Sequence, residues 1–201
     1  CGASLVLLDG ALGRSHHASP AIANGVILAT GAAIGGGMDD VLRKTRDRLA
    51  ILGLAQADQA TRTLCQPVFS QGGVGLWNGQ GEALLLAGIA TLNAAETLLR
   101  YIESDVQTIA VSGAVGRTLW RALGLLAARQ PGLRVVVNDG TKLFVEAADL
   151  LQLRRQGAQV LAWRGIKLIG ITLNPYSPLG GSFNAEEFLL AARAAFADYG
   201  V

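Results

Sequence analysis

Five short apolar runs, each ending on a small or polar residue beside glycine or proline, constrain the fold of this chain most strongly. They are residues 5–8 before Asp9, 26–29 before Thr30, 109–111 before Ser112, 135–137 before Asn138-Asp139, and 169–173 before Asn174. β-Branched or leucine-rich runs without polar alternation are typical of strands buried on both faces, so they predict a largely parallel sheet. Because α/β proteins bind ligands beyond the carboxyl ends of such strands, we expect Asp9, Thr30, Ser112, Asp139 and Asn174 to meet at one sheet edge.

The segments between these runs predict helices and two antiparallel pairs of strands. Helical signals cover residues 39–53, 93–102, 116–129, 146–155 and 184–199. Asn78-Gly79 predicts a hairpin between residues 74–77 and 82–86, and Arg164-Gly165 predicts another between 159–163 and 167–173. With the helix–strand alternation of residues 93–137, this pattern predicts one three-layer, Rossmann-like α/β domain over residues 1–201, with a mixed, largely parallel sheet.

Composition excludes several classes of protein. A formal net charge of +2 without a basic run does not indicate nucleic-acid binding. We find no apolar stretch long enough to span a membrane and no signal peptide, so we expect a cytoplasmic protein. With 51% hydrophobic and only 16% charged residues, we expect another subunit, in a homo-oligomer or hetero-complex, or a missing segment to cover part of the apolar surface.

The two cysteines, Cys1 and Cys65, form neither a disulfide framework nor a metal site. The first residue has three explanations: removal of methionine, truncation of a longer chain, or an N-terminal nucleophile exposed by autocleavage. We favour truncation because no general base for Cys1 can be identified in the sequence.

Two turns that follow predicted strands have the residue types of an anion site. Ser112 and Gly113 with Arg117 join a strand to a helix start, where backbone N–H groups bind phosphate or carboxylate; a plain tight turn is the alternative. Asp139, Thr141 and Lys142 surround one strand-end glycine, and Asp139 with Lys142 either holds a metal-bound phosphate or charged substrate, or forms a local ion pair.

Polar or glycine-rich segments follow the three other runs. Residues 9–20 include Asp9, Arg14 and the adjacent His16 and His17, whose side chains diverge and so suit a metal poorly. Thr30 and Gly31 open a glycine-rich loop, and Asn174 starts a proline-stiffened turn that serves as a lid or as a plain connector. The predicted ligand-binding residues are Asp9, Arg14, Thr30, Gly31, Ser112, Gly113, Arg117, Asp139, Thr141, Lys142 and Asn174. No metal ligands are predicted, and the cofactor is left open, with a magnesium nucleotide as the candidate.

Four segments, in order, resemble a bacterial protein family associated with the cobalamin- and pyridoxal-dependent lysine and ornithine aminomutases. They are residues 9–14 with 18–20, residues 25–32, residues 139–144, and residues 174–178 followed by Phe183. The resemblance spans nearly the whole chain. Family members carry additional sequence before the Asp-Gly-Ala segment, which implies that this chain is a C-terminal part.

The resemblance implies an accessory role, such as reactivating a mutase whose cobalamin is damaged, and it supplies no catalytic residues. The expected partners are therefore an aminomutase subunit or a missing N-terminal domain, and a small-molecule or phosphate ligand. We expect a small-molecule- or nucleotide-binding domain. The alternatives are a hydrolase or transferase that uses a strand-end aspartate or Cys1, and a non-catalytic subunit-interaction domain.

Overall fold

Seven strands and six helices make up the regular structure of the computed structural model, which describes residues 2–10 and 15–200. The strands are β1 (Val26–Gly31), β2 (Val74–Trp77), β3 (Ala83–Ala87), β4 (Thr108–Val111), β5 (Arg134–Val137), β6 (Gln159–Ala162) and β7 (Leu168–Asn174). The helices are α1 (Met38–Leu52), α2 (Gln59–Gln71), α3 (Ala94–Leu99), α4 (Arg117–Arg129), α5 (Ala147–Arg155) and α6 (Ala185–Phe196).

The strands form two separate sheets. The larger sheet has the order β3-β2-β4-β5-β6, in which β2 is antiparallel to both neighbours and β4, β5 and β6 are parallel. The smaller sheet pairs β1 with β7 in parallel. Three of these five pairings are parallel, which confirms the predicted α/β class with a mixed, largely parallel sheet.

Helices cover both faces of the larger sheet. Apolar residues of α3, α4 and α5 pack on one face, where Leu98, Leu123 and Leu150 are fully buried with Ile109 and Val135. On the other face, Cys65 and Val68 of α2 pack against Trp77, Ala110 and Val136. Helix, sheet and helix are the three layers of the prediction.

Helix α1 contacts both sheets. Leu49 packs with Ala192 and Phe196 of α6 under the smaller sheet, whereas Ile51 belongs to the large core. A Cβ atom on Gly140, just after β5, would lie 2.1 Å from the Ile51 carbonyl oxygen, so the glycine permits this close approach.

Two predicted strand pairings are wrong. Residues 5–8 form no strand and are exposed, and no strand within residues 2–10 and 15–200 pairs with them. Arg164-Gly165 joins strands of different sheets: the outer side of β6 bonds to residues 55–57, where the Ala57 N–H donates to the Ala162 oxygen at 2.8 Å. The edge that a hairpin requires is therefore occupied. The Asn78-Gly79 hairpin is confirmed as β2 and β3.

Candidate functional site

The candidate site lies at the carboxyl ends of β4, β5 and β6. Side-chain and backbone hydrogen bonds join these strand ends. The Asn138 amide donates to the Ser112 carbonyl oxygen, and the Arg164 N–H donates to the Asn138 carbonyl oxygen at 2.9 Å. The Ser112 hydroxyl donates to the Gly73 carbonyl oxygen at 3.0 Å. These bonds connect the ends of neighbouring strands at this edge of the sheet.

Asp139 is a buried carboxylate whose oxygens are occupied by protein donors. It is 3% exposed. One oxygen accepts from the Thr141 N–H at 2.8 Å and from the Thr141 hydroxyl at 2.5 Å, which caps the 3-10 turn Gly140–Lys142. The other oxygen accepts from the Ser19 hydroxyl at 2.8 Å. Because a buried charge must be compensated, these bonds make Asp139 an anchor of the local fold.

Ser19 belongs to a segment that crosses the sheet edge, residues 15–24, which we call the arm. The arm begins with the 3-10 turn Ser15–Ala18 and turns again where the Ile22 N–H donates to the Ser19 oxygen at 2.8 Å. Ser19 is itself buried, and its partner Asp139 lies 120 residues along the chain. The Ser19–Asp139 bond therefore fixes the arm beside the strand ends.

A cleft of about 370 Å³ opens between the arm, α2 and the ends of β5 and β6. Its volume is in the range of small-molecule sites. Residues from all four elements line it: Ser19, Ala21, Phe69, Ser70, Asn138, Asp139, Trp163 and Arg164.

An aromatic stack forms one wall of the cleft. The rings of Phe69 and Trp163 are stacked, with centroids 4.8 Å apart and planes 17° apart. The Trp163 indole N–H donates to the Arg62 carbonyl oxygen at 3.2 Å. The Arg164 guanidinium carbon lies 4.7 Å from the centroid of the Trp163 ring, within the range of a cation–π contact. The wall therefore combines a flat apolar surface with a positive charge.

The charge of Arg164 is available to a ligand. Arg164 is exposed, and within residues 2–10 and 15–200 it forms no ion pair with a carboxylate. Asp139, the acidic group of the cleft, is already bonded to three protein donors. A guanidinium presents several N–H donors in one plane, a geometry that matches carboxylate and phosphate oxygens.

The buried thiol near the stack is not a nucleophile at neutral pH. Cys65 packs in the same apolar cluster as Phe69 and Trp163. Burial raises the pKa of its thiol to about 12. Since the thiolate is the reactive form, Cys65 contributes packing rather than chemistry.

Five predicted site residues lie at the edge of the larger sheet, with different roles. Asp139 lines the cleft, and the Thr141 hydroxyl donates a hydrogen bond to the Asp139 carboxylate. Ser112 joins strand ends, and Gly113 packs so closely that a Cβ atom would lie 2.8 Å from the Thr91 side chain. The backbone oxygen of Lys142 accepts from the Val115 N–H at 2.8 Å, and Lys142 forms no ion pair with Asp139.

Arg117 lies outside the cleft. It borders a second hollow of about 230 Å³ with Trp120, Arg121, Glu146 and Asp149. Its guanidinium is 3.2 Å from a carboxylate oxygen of Glu146, and both side chains are largely exposed.

The expected meeting of all five strand ends at one edge is wrong. Thr30, Gly31 and Asn174 belong to the smaller sheet. The Thr30 hydroxyl donates to the Thr45 hydroxyl of α1 at 2.6 Å, since Thr45 donates its own proton to the Val41 oxygen. Thr45 lies beside Thr30 at the end of β1, and Ile51 lies beside Gly140 after β5. These two α1 residues are about 9 Å apart along the helix axis.

The remaining predicted residues have other positions. Gly31 packs against the β7 backbone: a Cβ atom there would lie 2.3 Å from the Asn174 oxygen. The Asn174 side chain accepts from the Tyr176 N–H at 3.0 Å, which supports a local turn. Asp9 is exposed in a segment without helix or strand. Arg14 and Cys1 lie outside the described residues.

Sequence reasoning missed most of the residues that line the cleft. Trp163 and Arg164 follow β6 directly, so the strand-end rule would have found them had the segment not been assigned to a hairpin. Asn138 precedes Asp139 and marks the same strand end. Phe69 and Ser70 lie on α2, which was not predicted. Ser19 lies in the polar segment 9–20, but its contact with Asp139 gave no signal because the two residues are far apart in sequence.

The part of the chain that the structure describes contains no group of three or more His, Cys, Asp or Glu side chains that could hold a metal ion. His16 and His17 contact each other edge to face, with ring centroids 4.3 Å apart.

No protein-family model, curated protein or solved structure matches the chain. Among the described residues, no helix has both the length and the apolar character needed to cross a membrane.

Proposed function

We propose that the chain is a small-molecule-binding α/β domain whose ligand combines a flat ring with an anionic group, a nucleotide being the first candidate. One observation carries the proposal. Arg164, which has no carboxylate partner among the described residues, lies over the Trp163 ring in a cleft at the strand ends. Parallel sheets place ligands at this edge because loops of several strands meet there.

The aromatic wall would recognise the ring of the ligand. Trp163 is held by its indole hydrogen bond and by the stacked Phe69, so it loses little conformational freedom when a ligand binds. A ring of the ligand would pack on the exposed part of this surface by stacking or edge contacts, which contribute about 1 kcal/mol beyond burial.

Arg164 would bind the anionic group. Its guanidinium can donate two N–H groups to one phosphate or carboxylate, and the nearby Ser70 hydroxyl and Asn138 side chain add polar contacts. Asp139 forms no ion pair with Arg164, because its carboxylate oxygens accept hydrogen bonds from Ser19 and Thr141 instead.

We further propose, from the family resemblance, that this binding domain serves an accessory protein of a cobalamin-dependent aminomutase. Its partners would be a mutase subunit or a domain that precedes this chain. The cobalamin and pyridoxal chemistry would belong to the mutase, and this chain would couple ligand binding to its accessory role.

Calorimetric titration of the chain with ATP, ADP and inorganic phosphate, each with and without magnesium, tests the binding proposal. We expect saturable binding of a nucleotide, weaker binding of phosphate, and a loss of at least about tenfold in affinity in Arg164→Ala. Arg121→Ala, which removes an exposed arginine from the second hollow, is the matched control and keeps the wild-type affinity.

Failure of all three titrants to bind refutes the nucleotide proposal. Equal binding of phosphate and nucleotides refutes ring recognition by Trp163. Unchanged affinity in Arg164→Ala places the ligand outside the cleft.

A further inference from the structure

One face of the smaller sheet is uncovered and carries two exposed isoleucines. Leu28 and Ile171 pack towards α1 and α6, whereas Ile27 and Ile169 are 56% and 60% exposed. Parallel sheets are normally covered on both faces, and a sheet of two strands is marginal alone. The uncovered face and the small number of strands therefore suit this sheet to accept a further segment.

The edges of the same sheet are also open. Within residues 2–10 and 15–200, β1 pairs with β7 and with no other strand, and the same holds for β7. An open edge presents unpaired N–H and C=O groups, which a further extended segment can bind.

Residues 5–8 have the properties of such a segment. They read Leu-Val-Leu-Leu, belong to no helix or strand, and are 75%, 69%, 84% and 51% exposed. Residues 2–8 contain no charged side chain. In an extended conformation, residues 5 and 7 lie on one face and 6 and 8 on the other, so either register places two branched side chains on the uncovered face.

We propose that residues 5–8 of one copy of this chain add as a strand to the open edge of the β1–β7 sheet of a second copy, and that the exchange is reciprocal. The occupant is a second copy because each chain carries both the exposed segment and the open sheet, and because the segment is not docked on its own sheet. When the exchange is reciprocal, the two junctions are equivalent and the assembly is a closed two-fold dimer. The proposal of a dimer does not rest on the proposed ligand binding at the cleft.

Sedimentation over about 1 to 100 µM protein, with three variants, tests this proposal. Val6→Pro with Leu7→Pro removes two successive N–H groups, one of which any strand pairing requires. Ile27→Asp places a charge on the receiving face. Leu125→Asp, at an exposed leucine of α4, is the matched control.

We expect a wild-type dimer, an unchanged dimer in the control, and at least a roughly tenfold weaker dimer in both other variants. Mixing the double-proline and Ile27→Asp chains provides the second measurement. The first retains an intact sheet and the second an intact segment, so the mixture forms a heterodimer through one junction, which chains that failed to fold would not do.

A wild-type monomer throughout the concentration range overturns the proposal, as does a dimer that survives the double-proline change. Absence of the heterodimer from the mixture, with both variants folded by circular dichroism, also overturns it. Dissociation of the Leu125→Asp control would assign the interface to the helices that cover the larger sheet.

Discussion

The two sheets of this protein are built from similar apolar sequences but differ in what covers them. In the larger sheet every residue of β2 and β4 is buried, because helices pack on both faces. In β1 and β7 buried or half-buried residues are interspersed with exposed ones, because α1 and α6 cover one face only. The covered sheet carries the cleft at its strand ends, whereas the uncovered sheet carries the surface of the dimer that we propose.

The largest expected contrast is between matched core truncations in the two sheets. Leu123 of α4 is fully buried, so Leu123→Ala should lower the free energy of unfolding by about 3–5 kcal/mol. Leu28 of β1 is half-buried, and Leu28→Ala should cost about 1–2 kcal/mol. Urea denaturation of both variants, at a concentration where the chain is monomeric, measures the two losses. Equal losses would show that the small sheet is as fully packed as the large one.

A smaller contrast is expected between the polar contacts that stabilise the larger sheet and those that stabilise the smaller one. Asp139→Ala leaves the Ser19 hydroxyl and the Thr141 N–H without their acceptor, and we expect a loss of about 2–3 kcal/mol. Thr30→Val removes one hydroxyl, and Thr45 keeps its bond to the Val41 oxygen, so we expect a loss of about 1 kcal/mol.

Limited proteolysis complements these unfolding measurements. Because the arm is tied to the larger sheet by Ser19, Asp139→Ala should speed cleavage within residues 15–24, whereas Thr30→Val should not. Equal cleavage of the arm in both variants would mean that the Ser19–Asp139 bond does not hold it.

The smallest expected effect concerns an exposed ion-pair cluster at the start of α1, beside the smaller sheet. Hydrogen bonds from Lys44, the Gly36 N–H and Arg43 hold the pKa of Asp40 well below its ordinary value of 3.8. Since the folded pKa is the lower one, the stabilisation is present above pH 3.8 and is lost as the pH falls further.

Asp40→Asn should therefore lower the urea midpoint slightly at pH 7, and the difference from wild type should shrink below pH 4. A difference that stays constant from pH 7 down to pH 2 would assign the effect to helix propensity or packing instead of charge.

The elements that were predicted correctly have local causes. The α1 helix follows from apolar spacing and ends at Gly53, and α6 begins at Asn184, whose side chain accepts from the Glu186 and Glu187 N–H groups. The β2–β3 hairpin follows from Asn78-Gly79. Each signal lies within a few residues of the structure it specifies.

The errors have long-range causes. The missed helix α2 is the exception, because its conflicting signals are local: Pro67 lies inside it, although Asp58 caps its start and Thr61, Cys65 and Val68 have helical spacing. Residues 5–8 have the composition of a strand but no partner strand in the part of the chain that the structure describes. The arm and the aromatic wall depend on contacts of Ser19 with Asp139 and of Phe69 with Trp163, whose residues are distant in the chain.

The sequence alone was sufficient for the α/β class, for most helices, and for directing attention to the strand ends, where a cleft lies, since periodicity and turn chemistry are local. The tertiary structure was needed to divide the strands between two sheets and to choose which strand ends form the cleft. The cleft is lined by Asn138, Trp163 and Arg164 beside Asp139, and not by the predicted Asp9, Thr30 and Asn174. Strand pairing is a competition among main chains distant in sequence, and its outcome depends on which faces the helices cover.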